Sequence, residues 1–133
     1  TFKIHNFPLS NIKDNKSYSE LKNLIEKNKS LETLSLQGCL LNDASIIELS
    51  KAFLLTENSN LNTLDFSANM ITEYGASVLY DTMLYALQHN RNLNNLRNII
   101  LNDNINLANN SPSKNAINKM LIQHEYTHLT PDR

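Results

Sequence analysis

The chain has 133 residues, 12 Lys and Arg against 13 Asp and Glu, a hydrophobic fraction of 41%, and 22 leucines matched by 22 asparagines. Two glycines, three prolines and a single cysteine exclude a collagen-like chain, a Gly/Pro-rich disordered chain and a disulfide scaffold. Near-zero net charge argues against a domain built to neutralise nucleic-acid phosphates; no apolar run approaches the roughly 18 residues of a membrane span, and no signal-peptide pattern is read.

In chain order, Phe2, Ile4, Phe7 and Leu9 form an opening, truncated strand-like segment. Ser17-Tyr18-Ser19-Glu20 then reads as a capping box ahead of a helix carrying Leu21, Leu24 and Ile25. Leu34 and Leu36 alternate with Thr33, Ser35 and Gln37, the period of a half-buried strand. After Leu41 the period changes: Ile46, Ile47, Leu49, Phe53 and Leu54 fit one face of a helix capped by Asn42 or Asp43. A third strand holds Leu64 and Phe66, and Thr72 caps a helix carrying Val78, Leu79, Met83, Leu84 and Leu87. A fourth holds Ile99 and Leu101. Ser111 and Pro112 then supply the N-cap and first position of a last helix, to about His128, that buries Ile117, Met120 and Leu121.

These elements are in register. Leu31, Leu34, Leu36, Cys39 and Leu41 share their spacing with Leu61, Leu64, Phe66, Asn69 and Ile71, and with Leu96, Ile99, Leu101 and Asn104. The pattern resembles the LxxLxLxx(N/C)xL of leucine-rich repeat proteins. The period of about 30 residues, with Thr72, Gly75 and Leu79 in the second complete copy, is similar to the ribonuclease-inhibitor type. That resemblance implies an α/β leucine-rich repeat solenoid, a right-handed horseshoe arc with short parallel strands on the concave side and helices on the convex side. It predicts one domain over 1–133, divided into a partial capping unit at 1–30, units at 31–60 and 61–95, and a divergent unit at 96–133.

Asparagine divides between two roles. Asn69 and Asn104, with Cys39 in the equivalent place, are predicted as inward ladder positions that satisfy backbone groups buried between units. Most others are predicted as turns, where Asn tolerates left-handed backbone. Outward strand positions would line the concave face: Lys3, His5, Thr33, Ser35, Gln37, Thr63, Asp65, Ser67, Asn98, Ile100 and Asn102. Small polar groups with one apolar anchor, Ile100, suit a protein surface better than a nucleic-acid backbone.

One segment points to an enzyme instead. His124-Glu125-Tyr126-Thr127-His128 is HExxH, which on a helix sets two histidines one turn apart as zinc ligands, with the glutamate activating water. The third ligand in the usual downstream spacing is missing, His5 and His89 belong to other units, and the helix closes a stack rather than lining a cleft. No phosphate loop or nucleophile elbow is present. Arg91 and Arg97 lack the supporting motif of a GTPase-activating repeat protein. The sequence therefore reads as a non-catalytic protein–protein interaction module without cofactor or metal, with a zinc-dependent hydrolase as the alternative. Subtype and lone cysteine suggest the cytoplasm. The Asn-rich composition resembles effectors that bacteria deliver into a host-cell cytoplasm. The partner's identity and the oligomeric state stay open.

Overall fold

The computed structural model describes residues 2–3 and 16–129. Its strands are β1 (Phe2–Lys3), β2 (Thr33–Ser35), β3 (Thr63–Asp65) and β4 (Asn98–Ile100), all parallel and in the order β1-β2-β3-β4. Between and after them run α1 (Lys16–Lys27), α2 (Asp43–Ser50), α3 (Glu73–His89) and α4 (Pro112–Leu129). Short 3-10 turns at Lys51–Leu54 and Arg91–Asn95 follow α2 and α3. Each parallel strand needs a crossover, and a helix supplies it.

Alternation of side chains along each strand sends one set into the core. Leu34 and Leu64, directly paired in register, are fully buried, and Ile99 beside Leu64 is nearly so. Leu36, Phe66 and Leu101 continue that inward row. The helices face it with Ile46, Leu49, Leu79, Met83, Ile117 and Leu121, all buried. Burying each such side chain contributes about 1.5–3 kcal/mol, and Leu64→Ala in the middle of the sheet would cost about 2–5 kcal/mol. α2 packs on α3 and α3 on α4, while α1 rests on the turn after α2.

The helix starts are chemically specified. Asn42 Oδ1 accepts from Ser45 N at 2.9 Å, Thr72 Oγ1 from Tyr74 N at 3.3 Å, and Ser111 Oγ from Lys114 N at 3.1 Å. The strand exits are specified by backbone: Gly38, Ala68 and Asp103, at one register position in successive units, have φ of 65°, 57° and 60°. Only the first is the residue that adopts this region without steric penalty.

This architecture departs from the horseshoe predicted by the sequence. Over the described residues the molecule is a small α/β domain, with three strands of three residues and a two-residue β1, against four helices. A solenoid needs near-identical units stacked with a constant rotation. Here the helices run 12, 8, 17 and 18 residues, and α2 breaks into a 3-10 turn, so successive units are not equivalent. Leucine spacing records the core-facing positions of each strand; helix length, which would set a repeating arc, is not recorded in it.

Candidate functional site

The sheet face turned away from the helices carries the predicted binding residues. Gln37 Nε2 donates to Asp65 Oδ2 at 2.6 Å, and the other carboxylate oxygen accepts Ser67 N at 3.0 Å. Asn98 Nδ2 donates to Thr63 Oγ1 at 3.3 Å, and Thr63 donates its hydroxyl to Asn62 Oδ1 at 2.8 Å. Parallel pairing puts Thr63 between Thr33 and Asn98, and Asp65 between Ser35 and Ile100. Thr33, Gln37, Thr63, Asp65 and Ile100 are half-buried, and Asn98 and Asn102 are exposed. Ser35 and Ser67 are only 4% and 8% exposed, so they support the face rather than present it. Lys3 pairs through its backbone with Ser35. His5 lies outside the described residues.

The ladder residues sit beneath. Asn69 Oδ1 accepts Cys39 N and Leu41 N, both at 3.0 Å, while Nδ2 donates to the carbonyls of Leu36, Phe66 and Ser67 at 2.9–3.1 Å. Asn104 Oδ1 accepts Ile71 N at 2.9 Å, and its Nδ2 donates to the carbonyls of Phe66 and Leu101. Cys39 is buried, with Sγ 3.5 Å from the Gln37 carbonyl.

Two further ladders escaped the sequence reading. Asp43, the first residue of α2, accepts Thr72 N at 2.8 Å and Thr72 Oγ1 at 2.6 Å. Glu73, the first residue of α3, accepts the hydroxyls of Ser111 and Ser113 and the Ser113 amide at 3.1 Å. Those donors hold the Glu73 carboxyl below the usual carboxylate range. An acidic residue directly after one cap, 29 positions before the next cap for Asp43 and 38 for Glu73, was the available signal. Inter-unit asparagines form the other ladder: Asn58 Nδ2 donates to the Leu31 carbonyl at 2.6 Å, and Asn90 and Asn92 both donate to the Thr56 carbonyl at 3.1 Å.

The HExxH histidines are differently placed. His124 is 8% exposed, with Nε2 2.9 Å from the Leu93 carbonyl; His128 Nδ1 is 2.9 Å from the His124 carbonyl. Burial pushes the His124 imidazole below its usual range, outweighing the Leu93 bond that opposes the shift. Glu125 points to solvent. Among the described residues, no three His, Cys, Asp or Glu side chains converge as a metal site. A groove of about 510 Å³ lies between β4 and α4, with Glu125 among its lining residues. Among the described residues, no helix is long and apolar enough to cross a membrane.

No protein family and no curated protein matches the chain. Among solved structures it is similar to one described as Leiomodin-1 Actin-Binding Site 2, at 11% identity and a TM-score of 0.59, covering 98% of this chain and 84% of that one. Another is a tropomodulin C-terminal domain of Caenorhabditis elegans, at 14% identity and a TM-score of 0.44, covering 99% and 88%. The leiomodin domain replaces the ribonuclease-inhibitor-like leucine-rich repeat assignment and the solenoid that came with it: what this chain shares is the fold of that small α/β domain.

Proposed function

We propose that this chain is a non-catalytic protein-binding module, that its partner seats on the outward sheet face, and that actin is the first partner to test. The observation that carries the reading is the array Gln37–Asp65 and Asn98–Thr63, which ties side chains from neighbouring strands to one another beside half-exposed Ile100. Side chains already fixed before contact lose less entropy on binding. Actin comes from the described role of the domain that shares this fold, and a cytoplasmic setting accompanies it. The zinc-hydrolase and bacterial-effector readings have no finding behind them and form no part of the proposal.

Sedimentation with filamentous actin, and native gels with monomeric actin, test it. The comparison is with a Thr33→Arg, Asn98→Arg, Ile100→Arg variant, which changes partly or fully exposed positions. Binding lost in the variant supports both halves. Undiminished binding sinks the sheet face, and no binding by the wild type sinks actin.

A further inference from the structure

The turn that leads from each strand to the next helix repeats one feature that the core does not use. Leu40, Met70 and Ile105 each follow directly on the ladder position held by Cys39, Asn69 and Asn104. The ladder residues are buried, whereas the three that follow are 48%, 43% and 84% exposed. The units stay close together here: Met70 N donates to the Leu41 carbonyl at 2.8 Å, and Asn104 Oδ1 accepts Ile71 N at 2.9 Å. The three residues therefore form an apolar row across the strand exits, at a spacing near the roughly 4.8 Å of neighbouring strands. None of them belongs to the outward sheet face. A further strand at either edge of the sheet would lengthen the row without covering it.

Strain and charge both set this row apart from scattered surface leucines. Leu40 has φ 59°, a left-handed backbone that penalises a bulky side chain, and Asn69 holds the turn there by accepting Leu41 N. Burial does not explain a leucine in that conformation, since about half of it stays in water. Asp43 and Glu73 stand three residues after Leu40 and Met70, and Asp103 stands two before Ile105. Segments 36–43, 66–73 and 101–114 hold these three carboxylates and one basic residue, Lys114. Asp43 and Glu73 accept from neutral donors, Thr72, Ser111 and Ser113. Among the described residues, no ion pair involves Asp43, Glu73 or Asp103. At the far ends of α1 and α2, by contrast, Lys27 and Lys29 face Glu57, and Lys51 faces Glu48.

We propose that this row is the docking site for a basic amphipathic helix of a partner protein, whose apolar stripe lies along Leu40, Met70 and Ile105 and whose lysines or arginines meet Asp43, Glu73 and Asp103. A helix fits because its pitch of about 5.4 Å sets successive apolar turns at nearly the spacing of successive units. Met70, in the middle, has an unbranched side chain that adapts to what it meets. The same carboxylates would repel an anionic lipid surface. A second copy would bring lysines that its own glutamates already hold. The site depends neither on actin as a partner nor on the outward sheet face.

The probe is a synthetic amidated peptide of about 18 residues, long enough to hold a helix, with leucines at i, i+4 and i+7 and lysines flanking that stripe. Its twin carries glutamate in place of every lysine. Titrated into the whole chain, the lysine peptide should shift the NMR methyl signals of Leu40, Met70 and Ile105 with a Kd of about 0.1 mM or tighter, and the glutamate twin should leave them in place. Ile105→Ser, at the most exposed of the three, should weaken the lysine peptide about tenfold. Asp103→Asn, which keeps a residue at ease at φ 60°, should weaken it about threefold. Leu40→Asn should weaken it about tenfold while holding or raising the urea midpoint, a combination that a packing residue would not give. Absent shifts, equal shifts with the glutamate twin, or wild-type binding by Leu40→Asn each overturn the proposal. So do shifts of the same methyls when the protein is concentrated without peptide, which would make a second copy the occupant.

Discussion

Asn69→Ala removes one side chain and strands several backbone groups. In the wild type, the amide serves Cys39 N, Leu41 N and the carbonyls of Leu36, Phe66 and Ser67. Two of these keep another partner: Phe66 O accepts from Asn104, and Ser67 O from Gly38 N. Leu41 N and Leu36 O are left in a place where Asn69 itself is 4% exposed. A buried polar group without a partner costs about 1–3 kcal/mol, so the two together should cost about 4 kcal/mol. That is a large share of the 5–15 kcal/mol by which a domain is stable, and it should lower Tm by roughly 12 °C. Asn104→Ala strands only Ile71 N and Leu101 O, the latter beside the open groove, and should cost about half as much. Urea titration with parallel thermal melts measures both. A loss below about 1 kcal/mol for Asn69→Ala, or a larger loss for Asn104→Ala, would refute the ladder as a source of stability.

A Cβ on Gly75 would stand 2.1 Å from Asp43 Oδ1 and 3.1 Å from Asp43 Cα. Gly75→Ala should therefore displace Asp43 from Thr72 and cost about 1–3 kcal/mol, and a double-mutant cycle with Asp43→Ala should show strong coupling; additive losses would deny the contact. Ala68→Gly, at φ 57°, should raise stability by about 1 kcal/mol and Gly38→Ala, at φ 65°, should lower it comparably, both read from the urea midpoint. Stability should fall with acid in two steps. His124 and Glu73 both have folded pKa values below their ordinary 6.5 and 4.5, so the unfolded chain takes up protons first. Their contribution is complete above those ordinary values and is lost as pH drops through the folded ones. Urea midpoints across this range should show His124→Gln flattening the upper step and Glu73→Gln the lower, and unchanged profiles would remove these two groups as the cause.

Strand positions were legible because each needs only the alternation of apolar and polar residues, and Leu34, Leu64 and Ile99 occupy matching places in the sheet. The helix caps were legible too, since Asn42, Thr72 and Ser111 act on backbone within their own turn. What failed was the step from units to overall shape. Nothing in the leucine spacing says that α2 stops at Ser50 and tightens into a 3-10 turn while α3 continues to His89. The outward face was legible as a pattern of polar residues but not in depth. Ser35 and Ser67 share the period of Thr33 and Thr63, yet lie almost fully buried. Turn asparagines were read locally, whereas Asn58, Asn90 and Asn92 act across units, on carbonyls 27, 34 and 36 residues away.

His124 and His128 show the same limit in a chemical form. They lie one turn apart on α4, as a zinc signature requires, and their ring centroids are 4.4 Å apart. A carbonyl oxygen can only accept, so the nitrogen facing it must carry a hydrogen and has no lone pair for a metal. This applies to His124 Nε2 at Leu93 and to His128 Nδ1 at His124. Loading zinc through His124 Nε2 would break its bond to Leu93, whose carbonyl lies in the turn after α3, and expose or strand that buried group. The spacing alone cannot reveal this, because the residue that decides it lies 31 positions upstream. His124 thus ties the last helix to the turn before β4, and its neutral form is the one that the burial favours.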